Sequence, residues 1–267
     1  NPDDRHPGEE LVIELAESAA RAAGKILRER GNFAVQHKGA VDLVTEIDLA
    51  CENLIREFFA KETPGIPVLA EEGGGAETAT TRWIVDPLDG TTNFVHDFPS
   101  YCVSIALQDQ GSLQVAAIYD PIRDRCFLAE SGKGARVDDS PIQVSNTQTL
   151  DQALVASGFA YDRRERPDFY LQYVRAFLVK AQGFRRAGAA AMDMALLACG
   201  SLDGYWEFNL SPWDVAAGAL IVEEAGGRVT DMDLSGLKID SPRVLATNAR
   251  IHDEMASVIL PLLGSGS

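Results

Sequence analysis

Apolar residues recur at helical spacing from the start of the chain. Leu11, Leu15, Ala19, Ala23 and Ile26 share one face of a helix predicted over residues 9–30, with Gly31-Asn32 as its stop. A second helix is predicted to begin after Thr45. Thr45 and Asp48 have the spacing of a capping box, and Ile47, Leu54, Ile55 and Phe58 mark an inner face that runs on to Pro64-Gly65. The pattern then shortens. Residues 66–70 read as a buried strand, residues 86–99 as a loop, and residues 101–108, 113–120 and 125–131 as three strands. Gly111, Pro121-Ile122-Arg123-Asp124 and a hairpin around residues 138–141 punctuate them. Beyond that point helix and strand alternate: helices over 168–182, 189–199, 214–225 and 250–262, strands over 204–208, 228–231 and 243–247. Gly226-Gly227 stops the third of those helices, no internal repeat is visible, and only Gly264-Ser265-Gly266-Ser267 reads as a flexible tail.

The order of elements predicts an α+β chain, with helices and an antiparallel sheet in residues 1–145 and a mixed α/β half in residues 146–267. Hydrophobic residues make up 46% and charged residues 24%, which excludes a disordered, collagenous or fibrous chain. Acids outnumber bases 40 to 24, for a formal charge of -16, and the bases do not cluster. Such a chain repels phosphate backbones and anionic bilayers, so neither direct nucleic-acid binding nor membrane association is expected. No apolar run reaches the length of a membrane helix, and residues 1–10 are polar and acidic, unlike a secretory leader; the expected place is the cytoplasm. Cys51, Cys102, Cys126 and Cys199 are far apart and form no CxxC pair, so they are read as buried free thiols.

The stretch Trp83-Ile84-Val85-Asp86-Pro87-Leu88-Asp89-Gly90-Thr91-Thr92-Asn93-Phe94 is the most informative. An apolar β-type run ends in Asp86, Pro87 forces a turn, and Asp89 comes round three residues later. Gly90 permits a sharp bend, and Thr91 and Thr92 are candidate caps of a helical turn whose N–H groups suit an anion. Two carboxylates beside an anion site call for a cation between them. Oxygen-only ligation selects a hard one, Mg²⁺, Mn²⁺ or Ca²⁺, and Leu88 can add its carbonyl. Taken alone, Asp-Pro and Asp-Gly are also common turn dipeptides, so the same residues fit a plain turn.

The full string resembles the first signature of the inositol monophosphatase family, Mg²⁺-dependent and lithium-sensitive phosphatases. Trp213-Asp214-Val215-Ala216-Ala217-Gly218-Ala219 resembles the family's second motif. Glu71-Glu72, Asp42-Leu43-Val44-Thr45 with Asp48, Gly132-Lys133-Gly134-Ala135 and Gly226-Gly227 also match, over roughly residues 10 to 260. The resemblance implies a layered α-β-α-β-α sandwich and a phosphomonoesterase that hydrolyses inositol monophosphate with metal-activated water. It implies metal ligation by Glu71, Asp86, Asp89 and Asp214 with the Leu88 carbonyl, so that residues 1–145 carry most of the ligands. Asp48 and Thr91 would form a pair beside the attacking water, which Glu71 would help to orient. Leu88, Asp89, Gly90, Thr91 and Thr92 would line the phosphate, while Arg185, Ala190, Glu207 and Asp214 would meet the substrate from residues 146–267. Four carboxylates and a phosphate dianion carry about -6, which three Mg²⁺ ions offset and two leave at about -2; both counts stay open, as does Mn²⁺ as a substitute.

Competing readings attach to single residues. Glu207 fits an ordinary strand acid as well as a substrate contact, Asp42 a turn acid, and Asp214 a simple helix cap. Trp213 is expected to pack, His96 to lie at the surface, and Glu72 to be solvated or a cap. Arg185 is preferred to Arg186 only for its spacing to Asp214. Among functions, a histidinol-phosphate or other sugar-phosphate phosphatase shares the motifs. A role as a protein partner of the transcription machinery, with the phosphatase site retained, is the alternative of another class. A homodimer is expected from the resemblance.

Overall fold

Two large sheets alternate with three layers of helices, with a separate two-stranded antiparallel ribbon in the N-terminal part of the chain, and the strand alternation explains the layering. The computed structural model describes residues 9–29, 35–37, 43–240 and 243–263. Along the chain these are α1 (Glu9–Arg28), β1 (Val35–His37), β2 (Leu43–Thr45), α2 (Glu46–Glu62), β3 (Val68–Ala70), β4 (Arg82–Asp89), α3 (Thr91–Val95), β5 (Cys102–Asp109), β6 (Ser112–Asp120), β7 (Arg125–Glu130), β8 (Gly134–Val137) and β9 (Ser140–Pro141). There follow β10 (Leu154–Ser157), α4 (Pro167–Leu178), β11 (Gly183–Arg185), α5 (Ala190–Ala198), β12 (Gly204–Glu207), α6 (Pro212–Glu224), β13 (Arg228–Asp231), β14 (Val244–Thr247) and α7 (His252–Leu263).

The first sheet has seven strands in sequence order, β3 to β9, antiparallel except for the β3–β4 pair. Its central strands, β4 to β7, are largely buried on both faces, so their side chains alternate between two cores. Trp83, Val85, Val103, Ile105, Ala117, Tyr119 and Leu128 pack with Ala16, Ala20 and Leu27 of α1 and Ile55 and Phe59 of α2. The residues between them, Ile84, Cys102, Ala106, Ile118 and Phe127, point the other way, into α5 and α6. The second sheet is mixed, in the order β11-β10-β12-β14-β13, with β10 parallel to both neighbours. Ala156, Tyr205, Val244 and Ala246 face α5 and α6, whereas Val155, Trp206 and Leu245 face Tyr170, Tyr173 and Phe177 of α4 and Met255 and Ile259 of α7. The layers are therefore α1/α2, first sheet, α5/α6, second sheet, α4/α7, the α-β-α-β-α sandwich expected from the resemblance. The two sheets divide near residue 145, but the α5/α6 core is built from both of them.

Most predicted elements are present with ends shifted by a few residues. The helix expected over 168–182 stops at Leu178, because Gly183 opens β11. Strand β4 continues to Asp89, where a loop was expected from residue 86. Its register against β5 shifts between Asp86 and Asp89, and that irregularity accommodates Pro87, which cannot donate to the ladder. The short β10 and β11 have no counterpart in the sequence reading, since three or four residues give no usable period. The expected 86–99 loop also contains α3. Cys51, Cys102 and Cys126 are buried, but Cys199 is only half-buried, at the C-terminal end of α5 where the helix leaves the core. Gly31-Asn32, Asp42 and the 264–267 tail lie outside the described residues.

Phe177 stacks on Trp206 with centroids 5.6 Å apart, and both are fully buried. Phe177→Ala should lower stability by about 3–5 kcal/mol, read as a fall in the urea midpoint. An unchanged midpoint would mean that α4 is not packed on the second sheet as described.

Candidate active site

Three carboxylates converge where the first sheet meets the middle helices. Asp86 and Asp89 come from the end of β4 and Asp214 from the first turn of α6. One oxygen from each lies within 4.8 Å of the others, and no other group of three or more such residues is found among the described residues. Each is held by local structure. Asp86 Oδ1 accepts the N–H of Leu88 at 2.9 Å, closing the turn that Pro87 forces. Asp89 reaches across to α5, whose N-cap, Ala189, offers no side-chain cap. The N–H groups of Ala190 and Ala191 donate to Asp89 at 3.2 and 2.8 Å, so a residue of the first sheet caps a helix of the middle layer. Asp214 is the third residue of α6 and accepts the Ser211 N–H at 2.6 Å in a capping box. Trp213 is half-buried against the middle core, and its carbonyl accepts the Ser104 hydroxyl at 3.2 Å.

Burial and mutual repulsion act together on these acids. Burial, then the charges of Glu71, Asp89 and Asp214, raises the Asp86 pKa well above the ordinary carboxylate value. Asp214 is raised similarly, by burial and then Asp89. Asp89 is raised by burial to about 6, with the α5 N–H groups and the Cys102 thiol opposing the rise. Glu71 lines the same cleft and is close enough to act on Asp86 and Asp214, though it lies outside the tight group of three. Crowded buried carboxylates are costly unless a cation offsets them, and an all-oxygen set suits a hard divalent ion. The donor set therefore fits the metal that the sequence implies, with Leu88 beside it in the cleft wall.

Gly90 has φ 90°, the left-handed region, and a Cβ there would lie 2.9 Å from the Ser100 carbonyl. Glycine is required, and the bend it allows starts α3 at the cleft, with Thr91 and Thr92 on the wall. The Thr91 hydroxyl lies 3.0 Å from Asp48 Oδ1 and 3.2 Å from the Leu88 carbonyl. Asp48 is fully buried at the third position of α2, and its other oxygen accepts from the Thr45 N–H at 2.7 Å. The capping box read from the sequence thus exists and connects α2 to the cleft. Asn93 donates to the Ser100 and Ala187 carbonyls at 2.6 and 2.9 Å, tying α3 to the segment before α5.

The far wall comes from the second half of the chain. Glu207, at the end of β12, faces the cleft, and Tyr205 donates to its carboxylate. Burial pushes its pKa up to about 7, although Tyr205, Arg186 and Arg163 oppose the shift. Any side chain at Gly158 would collide with this carboxylate, since a Cβ would lie 1.9 Å from Glu207 Oε2.

One expectation needs correction. Arg185 does not reach the cleft: it is exposed at the end of β11 and donates to the Phe184 carbonyl at 3.0 Å. Its neighbour Arg186 lines the cleft instead, its guanidinium 5.4 Å from the Phe159 ring centroid. Sequence spacing cannot separate adjacent arginines, and here the end of the strand does. Ala190 lines the cleft, but its N–H is committed to Asp89. His96 is exposed, as read from the sequence. Tyr161 and Arg163 were missed, because a short helical turn between β10 and α4 leaves no periodic signal. Asp193 was also missed. It is buried within range of Glu207, Asp89 and Arg186, and its signal is a lone acid in the apolar helix α5.

In metal-free protein, Glu207 holds a proton near pH 7 that the unfolded chain releases near its ordinary 4.5. The folded state then binds more protons, so stability should fall as pH rises from about 4.5 to about 7. His252, lowered to about 4 by burial, acts in the opposite sense between that value and 6.5. Glu207→Gln keeps every other group, so thermal melts in EDTA should show a shallower decline for the variant than for wild type across this window. Parallel curves would refute the assignment of that proton to Glu207.

Comparison with known proteins identifies the family and the fold. The sequence profile of the inositol monophosphatase family matches residues 9–262. An inositol-1-monophosphatase of Synechocystis sp. is 44% identical over 258 residues, covering 92% of this chain and 88% of that protein. A putative Nus factor SuhB of Neisseria meningitidis serogroup B is 41% identical, with 92% and 97% covered. The solved inositol monophosphatase of Anabaena (Nostoc) sp. superposes with a TM-score of 0.86 at 42% identity, covering 94% of this chain and 96% of that one. Fold and sequence together place this chain in the inositol monophosphatase family.

Proposed function

We propose that the protein hydrolyses inositol monophosphate to inositol and phosphate, with Mg²⁺ as its cofactor, two or three ions per site, and Mn²⁺ as a substitute. The observation that carries this reading is the group formed by Asp86, Asp89 and Asp214, in one cleft with Glu207 and with Thr91, which is bonded to Asp48. Asp86, Asp89, Asp214, Glu71 and the Leu88 carbonyl are the proposed ligands. When bound, the ions supply positive charge for the phosphate and acidify the attacking water.

The chain's own groups do the rest. N–H groups at the start of α3, from Gly90 through Thr92, have no partner within the helix and suit phosphate oxygens. The Thr91 hydroxyl donates to Asp48, which leaves its oxygen lone pairs to accept a proton from water. Burial raises the Asp48 pKa, which favours its receiving that proton through Thr91. Water oxygen bonds to phosphorus as the ester P–O bond breaks; the alcohol leaves with the electron pair and is protonated from solvent. On the far wall the Glu207 carboxylate accepts hydroxyl donors of the ring, with Arg186 beside it in place of Arg185.

Relatives named as Nus factors favour a second, protein-partner role alongside the reaction. The four unpaired cysteines fit a reducing cytoplasm, and no helix among the described residues is long and apolar enough to cross a membrane. A homodimer remains the expected assembly.

Phosphate release should require added Mg²⁺ and vanish in EDTA. Asp89→Asn should cost at least about 100-fold in kcat, through loss of a ligand charge. Activity in EDTA, or a variant near wild type, would end the metal reading.

Glu207→Ala should split substrates. Loss of hydroxyl contacts worth about 1–3 kcal/mol should reduce kcat/KM on inositol 1-phosphate by roughly 5- to 150-fold. Hydrolysis of p-nitrophenyl phosphate, which lacks ring hydroxyls, should change far less. Equal losses on both would show that Glu207 serves the metals or the fold.

A further inference from the structure

Glu71 stands on a segment with little structure of its own. Strand β3 ends at Ala70, and the chain turns back so that Ala70 and Gly74 exchange backbone hydrogen bonds, at 3.3 and 2.9 Å. Residues 73 to 75 are all glycine, which gives the turn little intrinsic stiffness. What holds it comes from α2. Glu52 is buried, and its carboxylate accepts the Glu72 N–H at 2.8 Å, the Gly73 N–H at 2.9 Å and Arg56 Nε at 2.7 Å. Arg56 donates onward to the Val68 carbonyl at 3.1 Å and the Gly74 carbonyl at 2.6 Å. The pair grips the chain on both sides of Glu71.

The spacing gives this grip its direction. Asp48, Glu52 and Arg56 are four residues apart and lie along one stripe of α2. Asp48 touches Thr91 in the cleft, and the next two positions hold the turn that bears Glu71. Charge-assisted bonds to a buried carboxylate are short and strong, and losing one partner leaves the others uncompensated.

We infer that Glu52 and Arg56 are positioning residues that set Glu71 for the metal from outside the cleft. The inference rests on Glu71 being a ligand, as proposed above. In Glu52→Gln, one end of the amide is an NH₂ group facing N–H donors, so at least one of the three bonds is lost. Arg56→Met removes the onward bonds and leaves the two loop N–H groups on Glu52.

The test uses the full chain without substrate. Mg²⁺ binding is followed by calorimetry, and hydrogen exchange is read over residues 68–76. Glu52→Gln should weaken Mg²⁺ binding by roughly 10- to 100-fold, as outer partners of metal ligands do. It should also speed exchange in residues 68–76 but not in 82–95, and that exchange should slow to the wild-type rate at saturating Mg²⁺. Arg56→Met should show the same pattern at smaller amplitude, and it carries the test if Glu52→Gln does not fold. Glu71→Gln should weaken Mg²⁺ binding without faster exchange. Wild-type Mg²⁺ affinity in the Glu52 and Arg56 variants, with a weakened Glu71 variant, would overturn the inference and leave the ligand assignment standing. Wild-type affinity in Glu71→Gln would instead remove Glu71 from the ligands, and the inference with it.

Discussion

Three carboxyl groups are held within reach of one another, Asp86 and Asp89 buried and Asp214 half-buried. Left to themselves they would separate or take up protons, so the surrounding structure has to impose the arrangement. It does so by making each acid part of a backbone feature. Asp86 closes the turn at the irregular end of β4, Asp89 serves as the missing cap of α5, and Asp214 completes the cap of α6. Moving any of them would break a turn or expose a helix end, and that cost opposes the repulsion.

The middle layer gives these anchors their rigidity. Helix α6 is buried from Val215 to Val222, and α5 is almost entirely buried, so neither has a solvent-facing side on which to slide. Small residues make this possible: Ala216, Ala217, Gly218 and Ala219 let α5 and the two sheets approach closely. An apolar layer with almost no amphipathic character thus ends in two N-termini aimed at one cleft, where helix dipoles favour negative charge.

Much of this was legible in the sequence, for identifiable reasons. The capping box at Thr45 and Asp48, the turn forced by Pro87 and the bend at Gly90 are local, and local chemistry can be read along a chain. The long strands carried their alternation openly. Failures came where tertiary contact decides. The Asp89 cap on α5 joins residues about a hundred positions apart. Arg186 enters the cleft and Arg185 does not, because β11 ends between them. Strand β10 is too short to show a period, yet it leads to Gly158, under Glu207. Asp193 announced itself only as an oddity of composition within α5.

The walls of the cleft come from different stretches of chain. The acids and the α3 turn belong mainly to β4 and the start of α6, whereas Tyr161, Arg163, Arg186 and Glu207 belong to connections and strand ends of the second sheet. Such connections tolerate replacement far better than a buried strand or a helix cap. Within a lineage, then, the wall that carries the acids is frozen by the fold, while the connections opposite it that carry Tyr161, Arg163 and Arg186 are free to drift. Duplicated copies of this chain would diverge along those connections before they diverged at the acids.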